Sequence, residues 1–241
     1  MSTSTELLFR ADPYAREAAA SVIAQAEGGL VPDASLFYPA GGGQPGDTGT
    51  LRWLGGETRI IDTRKGADGA VVLIAAEGAA LPAPGTAITQ HLDWERRHRI
   101  MRVHTALHLL SVVIPLPVTG GQIGPDKGRP DFDMPEAPAD RDALERALND
   151  LVARDLPVTE DWITDAELAA NPGLVKTMSV APPMGAGRVR LVRIGTGADQ
   201  VDLQPCGGTH VARTGEIGAL KFGKIEKKGR QNRRVSVLLA A

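Results

Sequence analysis

The sequence predicts an α+β protein. A β-rich first unit over residues 1–90 reads as a small barrel or sandwich, and a second unit over residues 91–241 sets helices against a sheet. Three observations predict it. Short β-rich runs between Gly-bearing turns dominate the first unit. A long helical period opens near Trp94. Beyond it, a second helical segment and alternating strands are mixed. With 241 residues, 42% of them hydrophobic, the chain is long enough for one large domain or two small ones with a sizeable core. Aromatic residues are few, so Ala, Val, Leu and Ile fill that core. The 28 Gly and 17 Pro favour turns and short strands over a helical bundle.

In chain order, "DPYAREAAASVIAQAE" reads as a short helix. The β-rich runs "TRIIDTR" and "AVVLIAAE" follow, and "LPAPGTAITQHLD" adds a strand after a Pro-Gly break. In "DWERRHRIMRVHTALHLLSVVI" the apolar residues Ile100, Val103, Leu107 and Leu110 recur with a helical period, and Pro115 ends the helix. "PVTGGQIGPDKGRPDFDMPEAPAD" reads as a Gly- and Pro-rich loop. Asp140 caps a helix over "RDALERALNDLVARDL", which stops before Pro157. "RVRLVRIG" and "RRVSVLL" alternate like strands, and the glycines of "TGEIGALKFGKIEKKG" place turns between them.

The N-terminus lacks the basic start and apolar run of a signal peptide. The most apolar stretch, Leu109 to Val118, is about ten residues where a membrane span needs roughly twenty. A soluble, cytoplasmic protein is expected, with no membrane partner. The single cysteine, Cys206, excludes an intrachain disulfide. Charge is uneven: of 27 Lys and Arg and 29 Asp and Glu, the segment 221–235 holds seven basic residues and one acidic, leaving a net −8 elsewhere. A basic segment on an acidic body points to a localised anion-binding surface. Phe222 is its only aromatic, so phosphate contact by Lys221, Lys224, Lys227, Lys228, Arg230, Arg233 and Arg234 is favoured over base stacking. Arg96, Arg97, Arg99 and Arg102 extend the same surface on this reading.

Two short motifs carry chemistry. "HTALH" puts His104 and His108 four apart on one face of a helix, where two imidazoles can share a metal ion. Thr105 stands where the HExxH metalloprotease pattern has its glutamate. "CGGTH" gives Cys206 and His210 the same spacing, but Gly207 and Gly208 favour a tight loop over a helix. Three His and one Cys form a mixed soft and borderline set that suits Zn2+, with Cys206 as thiolate. Four protein ligands define a closed structural site, and three with an open position a catalytic one; spacing leaves both open. His91 and His98 fall outside the pattern and read as surface residues. "FYPAGGGQPGDTG", Phe37 to Gly49, lets backbone N–H groups approach an anion or ligand closely, and it is neither a P-loop nor a dinucleotide fingerprint.

The stretches "SLFYPAGGGQPGDTG", "HTALHLL", "GGQIGPDKGRPDFD", "CGGTHVARTGEIG" and "KIEKKGRQNRRV" together resemble the AlaX family of freestanding alanyl-tRNA editing proteins, itself similar to the editing domain of alanyl-tRNA synthetase. They run in family order from about residue 35 to 237. The resemblance implies a small β-barrel-like N-terminal domain followed by a two-layer α+β editing domain. It implies ATP-independent hydrolysis, in trans, of the ester of mischarged tRNA(Ala), carrying serine or also glycine. It places zinc and catalysis at His104, His108, Cys206 and His210. Substrate binding falls to Ser35, Gly41, Gly42, Gly43, Gln44, Gly207, Gly208 and Thr209, and tRNA binding to the basic segment. The length resembles the mid-sized class of the family and leaves no room for an aminoacylation domain. Ser35 stands where the family usually has Thr, and Pro130 where it often has an apolar residue. The site chemistry alone fits a second reading, a non-catalytic zinc-stabilised tRNA-binding module, and a third, a zinc hydrolase for small esters or amides.

Overall fold

The computed structural model describes residues 4–177 and 187–240. The chain divides into two compact units, one ending at His98 and one beginning at Arg99. Among the described residues no helix is long and apolar enough to cross a membrane.

The first unit contains β1 (Glu6–Leu7), α1 (Leu8–Ala11), β2 (Glu17–Ala26), β3 (Gly29–Pro32), β4 (Ala34–Ser35), β5 (Gly49–Trp53), β6 (Gly56–Lys65), β7 (Val71–Ala75) and β8 (Ala87–Leu92). Six of these strands close a barrel in the order β2-β3-β7-β6-β5-β8, every pair antiparallel. The alanine-rich stretch expected as a helix is β2. It pairs β8 from Glu17↔His91 to Ser21↔Ala87 and β3 from Val22↔Pro32 to Ala26↔Gly29. Helix propensity differs by only tenths of a kcal/mol per residue, and two ladders of hydrogen bonds override it. Val22, Leu30, Leu51, Ile60, Val71, Leu73 and Ile88 fill the barrel, joined by Leu36 and Phe37.

The glycine-rich loop is fixed from within this unit. Gly41 and Gln44 exchange backbone hydrogen bonds of 3.0 Å around Gly42 and Gly43, whose φ values of 59° and 83° favour glycine. The Tyr38 hydroxyl donates to Gly41 O at 2.9 Å. Behind the loop, Asp47 accepts the Tyr38 N–H at 2.6 Å and is ion-paired to Arg97, whose guanidinium also donates to Leu36 O at 2.9 Å. Arg97 is fully buried.

Helix α2 (Trp94–Val113) begins in the first unit and runs on into the second. The second unit continues with β9 (Val118–Ile123), β10 (Lys127–Asp133), α3 (Arg141–Ala153), β11 (Val158–Thr164), α4 (Asp165–Ala170), β12 (Arg188–Ile194), β13 (Asp202–Pro205), β14 (Leu220–Lys228) and β15 (Asn232–Leu239). Two antiparallel sheets result, ordered β14-β15-β10-β9 and β11-β12-β13. The segment expected as a Gly- and Pro-rich loop contains the β9–β10 hairpin, and the turn-rich reading of 214–229 gives way to β14 over Leu220–Lys228. Pro130 sits inside β10, where the pairing to β15 skips Arg129 and Pro130, as a residue without an N–H requires. Ile100 and Val103 of α2 pack with Ile123, while a Cβ at Gly128 would meet the Leu107 side chain at 2.7 Å, so glycine lets β10 lie close under the helix.

Asp140 caps α3, its side chain accepting the Ala143 N–H at 2.8 Å. The helix then closes the free edge of β14. Asn149 accepts the Leu220 N–H at 2.9 Å and donates to Leu220 O at 3.0 Å. Glu145 accepts the Phe222 N–H at 2.7 Å, and Arg141 donates to Phe222 O at 2.6 Å.

Candidate metal centre

Helix α2 carries His104 and His108 one turn apart, their ring centroids separated by 5.5 Å. Cys206 and His210 come from the loop that leaves β13. Arg190 of β12 shapes that loop by donating to Cys206 O at 2.8 Å and to Gly208 O at 2.9 Å, while the Cys206 N–H returns to Arg190 O at 3.2 Å. The Cys206 sulfur lies 3.5 Å from His104 Nε2 and 3.3 Å from His210 Nε2. One ligand atom from each of the four residues falls within 4.8 Å of the others, so the group could hold a metal ion. All three histidines are buried.

Hydrogen bonds around the rings decide which nitrogens are available. Thr105 has one hydroxyl proton, donated to Met101 O at 2.9 Å. It therefore accepts from His210 Nδ1 at 3.2 Å and from the Val211 N–H at 3.2 Å, which leaves the lone pair of His210 on Nε2. His108 Nδ1 lies 2.9 Å from Asp202 Oδ2, and a carboxylate only accepts, so the His108 lone pair is on Nε2 as well. Asp202, fully buried at its side chain, also takes Gln204 Nε2 at 2.8 Å and Lys176 Nζ at 2.5 Å.

The electrostatics follow. Burial disfavours the charged His108 ring, but the Asp202 hydrogen bond and the nearby Cys206 outweigh it and raise His108 to about 9. Burial works against ionised Asp202 too, yet His108 and Lys176 draw it down to about 2. Burial, helped by His104, lowers His210 to about 3. The Cys206 thiol would rise on burial alone; His104 and His210 hold it well below its ordinary value. Cys206 as thiolate and His210 as neutral imidazole are thus in the protonation state a metal requires, whereas His108, charged in the metal-free site, would release its Nε2 proton on binding a metal.

Sequence reasoning missed the residues behind this group: Thr105, Ser111, Lys176, Arg190, Asp202 and Gln204. Part of the signal was present. Asp202, Gln204 and Cys206 alternate along β13 and its exit, so period two aims all three the same way. Lys176 carries no such pattern; only the tertiary fold brings it to Asp202.

The other expected site residues lie as follows. Gly207, Gly208 and Thr209 share the cysteine loop. The Gly208 N–H points at the Cys206 sulfur at 3.4 Å, whereas the Gly207 N–H has no hydrogen-bond partner among the described residues and a Cβ there would meet nothing within 4 Å. Ser35 and Gly41–Gln44 belong to the first unit. The Ser35 hydroxyl is buried, donating to Phe37 O at 3.0 Å and accepting the Phe37 N–H at 3.2 Å. In the basic segment, Lys221, Lys224, Lys227, Lys228 and Arg230 are exposed on β14 and its turn. Arg234 is held by Asp131 through bonds of 2.7 and 2.8 Å, and Arg233 donates to Pro135 O. The four arginines around the start of α2 are not a free extension of that surface. Arg96 donates to Gly46 O at 2.8 Å, Arg97 is the buried partner of Asp47, Arg99 pairs with Asp126 and Arg102 donates to Ile217 O at 2.9 Å. His91 is ion-paired with Glu17 and His98 stacks on Trp94, both half-buried.

Residues 4–96 match the tRNA synthetases class II (A) family, and residues 189–236 match the threonyl and alanyl tRNA synthetase second additional domain. The chain is thus related in both units to class II synthetase modules. It is 36% identical over 92% of its length to the alanine–tRNA ligase of Pyrobaculum calidifontis, of which it spans about a quarter. It is 34% identical over 96% of its length to the alanyl-tRNA editing proteins AlaX-M of Methanosarcina barkeri and Methanosarcina acetivorans, and covers 97% of each. The chain belongs to the AlaX family of alanyl-tRNA editing proteins.

Proposed function

We propose that this chain hydrolyses, in trans, the ester that joins a wrong amino acid to tRNA(Ala), with seryl-tRNA(Ala) as main substrate and glycyl-tRNA(Ala) as a further one. The observation that carries it is the convergence of His104, His108, Cys206 and His210 in a chain alike over nearly its whole length to proteins named for alanyl-tRNA editing.

The donor set fits zinc. Tetrahedral Zn2+ with bonds of about 2.0–2.1 Å to nitrogen and 2.3 Å to sulfur sets its ligand atoms roughly 3.3–3.6 Å apart. The sulfur-to-nitrogen distances here are 3.3 and 3.5 Å. Held by these four residues, zinc would supply Lewis-acid polarisation of the ester carbonyl or of the attacking water. The protein does the rest. The Gly207 N–H, without a hydrogen-bond partner among the described residues, is the candidate donor for a developing oxyanion; Gly208 and Thr209 of the same loop, and separately the Gly41–Gln44 loop of the first unit, are the further substrate-binding candidates. Ser35 has spent its proton on Phe37 O and is buried, so any bond it makes to a substrate hydroxyl requires local opening and uses it as an acceptor. A site that hydrogen-bonds a substrate hydroxyl rejects the analogue lacking it by orders of magnitude. Lys221, Lys224, Lys227, Lys228 and Arg230 hold tRNA phosphates; Arg233 and Arg234 shape the hairpin that presents them. Aminoacyl esters are reactive, so positioning supplies much of the rate.

The test is deacylation of seryl-, glycyl- and alanyl-tRNA(Ala) with and without a zinc chelator. Loss of serine and glycine but not alanine, abolished by chelation and restored by zinc, is expected. One observation favours a second reading: four protein ligands form the closed set typical of structural zinc. Tight tRNA binding without turnover of any of the three esters would establish that non-catalytic module instead.

A further inference from the structure

Behind His108 the structure holds a closed ring of hydrogen bonds. His108 Nδ1 donates to Asp202 Oδ2 at 2.9 Å, and Gln204 Nε2 donates to the same oxygen at 2.8 Å and to Ser111 Oγ at 3.3 Å. The Ser111 hydroxyl closes the ring on His108 O at 2.7 Å. Lys176 Nζ occupies the other carboxylate oxygen at 2.5 Å and reaches Ser111 Oγ at 3.5 Å. Among the described residues Asp202 thus receives three donors, and His210 has the neutral Thr105 hydroxyl behind it in place of a carboxylate.

We propose that Asp202 is the positioning residue of the metal centre: braced by Lys176 and Gln204, it keeps His108 in the Nδ1–H tautomer and so presents Nε2 as a ligand. This rests on the metal reading of the site. The role of Lys176 is directional. It can only donate, so it fixes which edge of the residue-202 side chain must be an acceptor. In Asp202→Asn the charged Lys176 donor takes the amide oxygen, the NH2 group turns to His108, and the Gln204 amide flips so that its Oε1 accepts from that NH2. Nδ1 must then accept, the proton moves to Nε2, and the metal loses a ligand. With Lys176→Met as well, the Lys176 donor is gone, Gln204 Nε2 can donate again, and the amide oxygen returns to accept from both Gln204 and His108.

The experiment measures zinc affinity by competition with a chromophoric chelator and the visible spectrum of the cobalt-loaded protein. Asp202→Asn is expected to weaken zinc binding about 10–100-fold and to change the cobalt bands. Lys176→Met alone should stay within about threefold, and the double variant should recover about tenfold over Asp202→Asn, since only the orientation of the amide separates them. Parent-like affinity and cobalt spectrum in Asp202→Asn, or no recovery in the double variant, overturns the proposal. The histidine tautomer in zinc-loaded wild-type protein, read from long-range proton–nitrogen spectra, decides the matter even where a variant fails to fold: a neutral His108 whose single proton is on Nε2 overturns it. Wild-type protein that takes up neither zinc nor cobalt removes the metal reading and this proposal together, whereas metal-binding wild type with an indifferent Asp202→Asn removes this one alone.

Discussion

Cys206 is the only soft donor of the four and the only one ionised to bind, so its removal takes away both a bond and a charge. Cys206→Ala and His104→Ala are each expected to lose stoichiometric zinc, measured by elemental analysis, and to lower seryl-tRNA(Ala) deacylation more than about 100-fold. Retained turnover in a zinc-free variant would end the metal account. Arg97 makes the opposite point about reading single residues. It lies in a run of arginines that looks like a nucleic-acid surface, and it is a fully buried counter-ion. Arg97→Ala strands the Asp47 carboxylate behind the glycine-rich loop and should destabilise the protein by about 3–5 kcal/mol. Urea unfolding measures that loss, and a change under about 1 kcal/mol would contradict the structural role.

At the scale of elements, the β14–β15 hairpin separates its cations into two kinds. Lys227, Lys228 and Arg230 stand exposed at the tip, and Arg234 is bound to Asp131. Substituting the three tip residues with Ala should raise KM for tRNA and lower the slope of log affinity against log salt by up to about 0.9 for each phosphate no longer neutralised, leaving kcat nearly unchanged. Arg234→Ala should leave that slope alone and lower the melting temperature. Equal slopes for the parent and the triple variant would remove the hairpin from the tRNA surface. The charge of this segment was legible in the sequence; the division of labour was not, because an ion pair with Asp131 needs the β10–β15 register that tertiary structure sets. The same limit explains β2 and the β9–β10 hairpin. Alanine-rich and Gly/Pro-rich stretches carry weak local preferences, and non-local pairing decided both. Asp140 and the two ligand motifs were readable because capping and i, i+4 spacing are local.

For the molecule as a whole, the buried Asp202–His108 pair links stability to pH. Asp202 is lowered from 3.8 to about 2, so its contribution is present above about 4 and is lost as pH falls through 2. His108 is raised from 6.5 to about 9, so the same pair contributes fully below 6.5 and is lost as pH rises through 9. Taken alone, this pair contributes most between about pH 4 and 6.5, and its loss toward acid is about 2 kcal/mol. His210, lowered to about 3, and the lowered Cys206 thiol also lose stability as pH falls through that window, so the chelated protein should weaken steadily from pH 6.5 to 4, while above pH 6.5 the loss from His108 opposes the gain from Cys206. Thermal melts across pH check it: a melting temperature of chelated protein that holds or rises as pH falls from 6.5 to 4 would contradict this.

The two halves of the metal centre lie about a hundred residues apart in the chain. Ribosomes add roughly 5–20 residues per second, so His104 and His108 leave the tunnel several seconds before Cys206 and His210 do. During that interval a nascent chain offers only a histidine pair, a weak and unselective trap for any passing divalent cation. A metal ion held by all four residues would meet its soft, zinc-favouring donor only with the thiolate, late in synthesis, by which time the barrel has had those same seconds in which to fold. The order of the motifs would thus make metal loading one of the last steps in this protein's birth.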